Sequence, residues 1–178
     1  MSTCSPSVYN GRAYIGVSGA GQFTAYSGHN ITVIDLKSRS IAYQVQTHGY
    51  PQTSGLLTTA YAEESGYVYV YFFDNQTPGT LRVLRDKAGQ TSADYVTQEG
   101  DFTTAYALFT PTGDHAQYAI CSPIVDEYGT IYFKNDSAHL MAFGSAIEKI
   151  EVTKLPDKMS YREGDSFDRQ AWSLQPPM

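Results

Sequence analysis

The sequence predicts an all-β fold, on three observations. A five-residue pattern recurs: Gly, any residue, an apolar residue, Tyr, an apolar residue. It stands at residues 11–15 (GRAYI), 66–70 (GYVYV) and 129–133 (GTIYF), roughly sixty residues apart. The aromatic content is 15 Tyr and 8 Phe against a single Trp, with 15 Gly, which suits many short strands and tight turns. No stretch sustains a helical period.

Residues 121–144 show the repeating unit most clearly. Cys121-Ser122-Pro123 opens a short strand at Ile124-Val125, and Asp126-Glu127-Tyr128-Gly129 is a tight turn. Thr130-Ile131-Tyr132-Phe133 is a β-rich run, Asn135-Asp136-Ser137 a second turn, and a third strand runs from His139 to Phe143. Residues 4–15 repeat the first half of this pattern, from Cys4-Ser5-Pro6 to Tyr14-Ile15. The middle copy has lost Cys-Ser-Pro and keeps the half that starts at Gly66. In each copy the glycine ends a turn, and alternate side chains of the following strand face opposite sides of a sheet.

Third strands are expected at residues 31–36 and 80–85, and fourth strands at 41–45 and 93–97. Four antiparallel strands per unit is the blade of a β-propeller. The expected architecture is therefore β-propeller-like, about three four-stranded antiparallel blades in an incomplete ring. The blades span about 4–50, 51–100 and 115–146 within a repeat region of 1–146. Residues 18–30 and 74–79 are insertions between strands. Residues 100–117, with Phe102 and a strand-like 106–109, read as a long connection between blades, or as an extra hairpin against 56–61.

Net charge is −6, and no basic patch is present. Lys37 and Arg39 form a two-charge turn and Lys149, Lys154 and Lys158 are dispersed, which argues against nucleic acid. The acidic balance argues against anionic membranes, and no apolar run is long enough to span a bilayer as a helix. Cys4 and Cys121 occupy the same position in two repeats. Such positions lie beyond the roughly 7 Å reach of a disulfide, so two buried thiols are expected. The chain opens directly inside a repeat, without a signal peptide, and a preceding segment is expected.

The repeated Ser-Pro-x-Val, turn glycine, Ile-Tyr-Phe and Leu-x-Ala-Phe-Gly resemble the quinoprotein-type (PQQ-like) propeller repeat over residues 4–144. After Gly144 the sequence becomes more charged. Ile150-x-Val152-x-x-Leu155-Pro156, then Lys158, Tyr161, Gly164, Phe167 and Asp168, resemble the start of bacterial Ig-like modules. Residues 169–178 depart from that pattern and are expected to be an out-of-frame end. About twenty residues cannot form an Ig-like sandwich, so 147–178 is not an independent domain. The combined resemblance implies a bacterial cell-surface protein and an extracellular setting.

Quinoprotein dehydrogenases in that family would need calcium-binding carboxylates, a catalytic Asp and a tryptophan platform. The only tryptophan is Trp172, in the tail, so no quinone cofactor is expected. His29, His48, His115 and His139 sit on different connections without metal spacing and read as surface or turn residues. Asp74-Asn75 and Asn135-Asp136 offer oxygen ligands for calcium, or cap their own turns. Ser18-Gly19 and Ser27-Gly28 lack a nucleophile elbow. Residues 16–21 are glycine-rich with no helix after them, which reads as a flexible turn rather than a phosphate loop. Glu63-Glu64 reads as a hairpin tip.

Tyr67, Tyr69 and Tyr71 alternate with Val68, Val70 and Phe72. They read as core, or as platforms for sugars or partners. No catalytic, cofactor or metal residue is assigned. The reading is a non-catalytic propeller segment with a binding or adhesion role toward a glycan or protein. The alternatives are a non-catalytic part of a surface polysaccharide-active enzyme, or a structural spacer. Open blade edges invite pairing, and one remedy is a homodimer completing roughly six blades.

Overall fold

The computed structural model describes residues 2–18, 28–92 and 106–144. The chain divides after Gly144. The segment resembling an Ig-like start, the tail with Trp172, the strand expected at 93–97 and Phe102 all lie outside the described residues.

The described residues form three antiparallel sheets. Sheet I runs in sequence order through β1 (Ser7–Tyr9), β2 (Arg12–Val17), β3 (Asn30–Asp35) and β4 (Ser40–Gln46). Asn10 and Gly11 both take positive φ (43° and 74°) between paired Tyr9 and Arg12. That is the twist a two-residue hairpin loop requires. The β3–β4 turn is held by Asp35, whose Oδ1 accepts the Ser38 N–H at 2.8 Å.

Sheet II holds β5 (Leu56–Thr58), β6 (Val68–Asp74), β7 (Thr80–Asp86) and β8 (Tyr106–Phe109). Between β5 and β6 the chain winds one helical turn, α1 (Ala62–Ser65), which carries Glu63 and Glu64 and ends on left-handed Gly66. Sheet III holds β9 (Ile124–Val125), β10 (Ile131–Lys134) and β11 (Leu140–Phe143). The three pattern glycines share one conformation, with φ of +74° at Gly11, +76° at Gly66 and +85° at Gly129.

Two expectations are corrected. The fourth strand of sheet II is β8, which pairs with β7 through Leu81–Phe109 and Val83–Tyr106. Residues 106–109 are therefore neither a free connection nor a hairpin against β5. Gly16 is not part of a flexible turn. It lies inside β2, where a Cβ would stand 1.9 Å from the carbonyl oxygen of Pro51. Only a hydrogen side chain lets sheet I approach the chain entering sheet II so closely.

The sheets pack in a repeated sense. Tyr14, Ile31, Val33, Tyr43 and Val45 of sheet I meet Val68, Val70, Phe72 and Leu84 of sheet II in one apolar core. The opposite face of sheet II, with Phe73 and Leu81, meets Ile131 and Phe133 of sheet III in a second core. The Phe73 and Phe133 rings lie 4.8 Å apart. In each pair the tyrosine-bearing side of one sheet's pattern strand faces the other side of the next. The alternation of β6 thus serves two interfaces: Val68, Val70 and Phe72 point to sheet I, while Tyr71 and Phe73 point to sheet III.

Gly16→Ala should destabilise the protein by roughly 1–3 kcal/mol through overpacking. Gly129→Ala, which meets no neighbour but is held at positive φ, should cost about 1 kcal/mol. Urea unfolding followed by circular dichroism checks the order; equal costs would contradict the close approach at Pro51.

Candidate functional site

Four kinds of polar or aromatic grouping emerge from this packing. The most deeply buried centres on Asp86, the last residue of β7. Alternation puts Asp86 on the face turned to sheet I, opposite the start of β2. Its carboxylate is completely buried and accepts four hydrogen bonds. Arg12 Nε donates to Oδ2 at 3.0 Å and Arg12 Nη2 to Oδ1 at 2.9 Å. Tyr14 and Tyr43 hydroxyls donate to Oδ2 and Oδ1, each at 2.7 Å. Arg12 Nη2 also reaches the Gln90 carbonyl at 2.9 Å, and the guanidinium lies over the Tyr43 ring.

Burial pushes the pKa of both tyrosines up, and the bond to Asp86 adds to it. Burial alone would lower the Arg12 pKa, but the hydrogen bond and charge of Asp86 outweigh it and leave it raised. With its acceptor positions filled, Asp86 is equipped to join two sheets, not to bind a metal or move a proton.

A second buried pair lies within sheet II. Asp74 Oδ2 accepts from Arg82 Nε at 2.6 Å, and Oδ1 from the Thr80 N–H at 3.0 Å. Asp74 thus closes the β6–β7 connection on Thr80 and pairs with Arg82. The other Asx pair behaves as a turn: Asn135 Oδ1 accepts from the Ser137 N–H at 3.1 Å.

The third grouping is a ladder of serines at the entrance to each sheet. The Ser5 N–H donates to Ser54 Oγ at 3.0 Å, and the Ser54 N–H to Ser122 Oγ at 3.0 Å. Ser54 thus holds in sheet II the place of Ser5 and Ser122. The sequence comparison missed it because Thr53-Ser54-Gly55 keeps only the serine of the motif. Cys4 and Cys121 precede the outer two serines and are free, half-buried thiols, less enclosed than expected. Cys4 Sγ accepts the Gly16 N–H at 3.2 Å.

The fourth grouping is aromatic. Sheet III covers the Tyr71–Phe73 end of its face of sheet II, while Tyr67 and Tyr69 are half-buried and Tyr61 is 59% exposed. Tyr61 and Tyr69 meet edge to face at 5.9 Å. Arg85 Cζ and Lys87 Nζ lie 4.5 and 4.4 Å from the Tyr67 ring centre. Tyr67 and Tyr69 are neither full core nor freely exposed.

Of the histidines, His29 stacks with Tyr50 and His48 is exposed. His115 and His139, from different connections, meet edge to face at 4.5 Å. Among the described residues no three or more His, Cys, Asp or Glu side chains are grouped to hold a metal ion. Gly19 and Ser27, of the two Ser-Gly pairs, lie outside the described residues. No protein-family model and no curated protein sequence matches this chain.

Arg12→Met leaves Asp86 buried without its cation and should cost roughly 3–5 kcal/mol in urea unfolding. Adding Asp86→Leu to that variant should recover part of the loss; a further loss of the same size would contradict the coupling. The tyrosines give the pH dependence. Their folded pKa values are raised above 10.0, so their stabilisation is intact below pH 10 and is lost as pH rises beyond it. Phenolate absorbance should then rise together with loss of circular dichroism, and Tyr14→Phe/Tyr43→Phe should weaken that coupling.

Proposed function

We propose that the three sheets are blades of a quinoprotein-like β-propeller from a bacterial cell-surface protein, and that the segment serves as a non-catalytic module binding a glycan. Three features support the blade reading: sequential antiparallel meanders, the same turn glycine in each, and packing of successive sheets in one sense.

The binding reading is carried by the aromatic and cationic surface of sheet II. Tyr61 presents an exposed ring, Tyr69 supports its edge, and Arg85 and Lys87 gather over Tyr67. A sugar ring stacks on a tyrosine face through its C–H groups, and adjoining cations favour saccharides that carry carboxylates or sulfates. By contrast, the buried carboxylates Asp74 and Asp86 are committed to arginines within the fold.

The test is a glycan array with acidic and neutral saccharides, followed by calorimetry on the ligand retained. Tyr61→Ala should weaken binding about tenfold or more. Lys87→Gln should weaken it less and reduce its salt dependence. Retention of no saccharide, or retention indifferent to Tyr61, would favour a structural spacer.

A further inference from the structure

We infer that two copies of this chain dock head to tail, the outer face of sheet III in one copy covering the outer face of sheet I in the other. Two such contacts join the copies into a closed ring of sheets. The inference rests on the blade reading and adds the partner, the faces used and the polarity of the contact.

Repetition of the internal interfaces defines which faces are open. Sheet II offers Val68, Val70 and Phe72 to sheet I, and sheet III offers Ile131 and Phe133 to sheet II. Among the described residues, the equivalent side of sheet I has no preceding sheet. There a cross-strand row runs Val8–Ala13–Ile34–Ile41, with Val8 58% and Ile41 59% exposed. At the other end, the side of sheet III equivalent to the Tyr14 side of sheet I has no following sheet among the described residues. It carries the row Ile124–Tyr132–Ala142 beside the pair Lys134–Leu140, with Ile124 65% and Leu140 74% exposed.

Charge decides that these two faces suit each other. At the sheet I–II contact, Arg12 of the pattern strand meets Asp86 of the next sheet. Thr130 holds the Arg12 place in sheet III. Ile34 holds the Asp86 place in sheet I, since Ile34 pairs with Ala13 as Asp86 pairs with Val68. Docking sheet III on sheet I therefore sets Thr130 against Ile34 and buries neither half of an Arg–Asp pair alone. The Asp126 carboxylate at the rim of that face keeps the Tyr132 hydroxyl and the Tyr128 and Thr130 N–H groups as its donors. Docking sheet III against the Asp86 side of a separated sheet II would bury that carboxylate beside Thr130. Lys134 is exposed and long enough to keep its ammonium in water while its stem covers apolar surface.

The serine ladder continues in the same direction. Among the described residues it ends on the Ser122 N–H in sheet III and on Ser5 Oγ in sheet I, so docking sets a donor of one copy opposite an acceptor of the other. Contacts of this kind join unlike faces, and two copies close when the rotations of the sheets sum to a full turn.

Light scattering coupled to size-exclusion chromatography should give a dimer of the full chain. Ile41→Asp alters only the sheet I face, and Ile124→Asp only the sheet III face. Both side chains are exposed in the single copy, so each variant should keep the wild-type circular dichroism. Each alone should weaken dimerisation at least about tenfold. Mixing the two should restore association, because the mixed pair keeps one unaltered contact between unlike faces. A monomeric wild-type chain, an open series of larger species, or two variants that fail to complement each other would overturn the docking. None of those outcomes touches the blade reading, which stands or falls on the internal contacts probed by Arg12→Met and Gly16→Ala.

Discussion

Every carboxylate oxygen lone pair of Asp86 is engaged, and the donors come from three places in sheet I: the start of β2, two residues further along it, and the middle of β4. Apolar contact alone would hold the two sheets together with little preference for register. Shifting either sheet by one residue would instead strand a buried charge, which costs several kcal/mol. The aromatic pairs around it then pack in the one register that Asp86 permits. Hydrophobic area supplies most of the cohesion, and the ion pair supplies the alignment.

The contact between sheets II and III uses other means. Phe143 stands where sheet II has Asp86, and Tyr67 where sheet I has Arg12. Phe73, Phe109 and Phe133 interlock at ring separations of 4.8 to 5.8 Å. The Asp86 place is thus filled by a charge in one interface and by a ring, Phe143, in the next. Neighbouring sheets of nearly the same shape are thereby told apart, since an exchanged pairing would set Asp86 against an aromatic surface.

Much of the strand layout was legible because it is written locally. Gly11, Gly66 and Gly129 mark turns by conformational need, and the strands after them alternate with period two. Residues 106–109 read as a strand, but their pairing with β7 was not legible because nineteen residues separate the two, and residues 93–97 offer a nearer tyrosine- and valine-containing run. The ion pair was invisible for a different reason. Arg12 falls in the unrestricted slot of the repeat and Asp86 precedes an ordinary turn, so neither breaks a pattern. Ser54 escaped notice because its role needs only a hydroxyl and a backbone N–H, and Cys and Pro, the landmarks used to align the motif, are absent there. The exposure of Tyr61 and its neighbours depends on how far the three-stranded sheet III extends over sheet II, which no local pattern encodes.

The serine ladder bears on how such a chain changes over evolutionary time. Each unit brings a serine with one amide proton and one hydroxyl oxygen to the same place, and Ser54 in the middle gives the first to the following sheet and the second to the preceding one. Duplicating or deleting a unit therefore leaves the number of donors and acceptors along this exposed ladder balanced. The charged and aromatic contacts between sheets are private to each neighbouring pair, whereas the serines form a common coupling that any unit can join. A duplicated unit inserted between two others would find its polar connection already satisfied, and only its side-chain packing would remain for selection to refine.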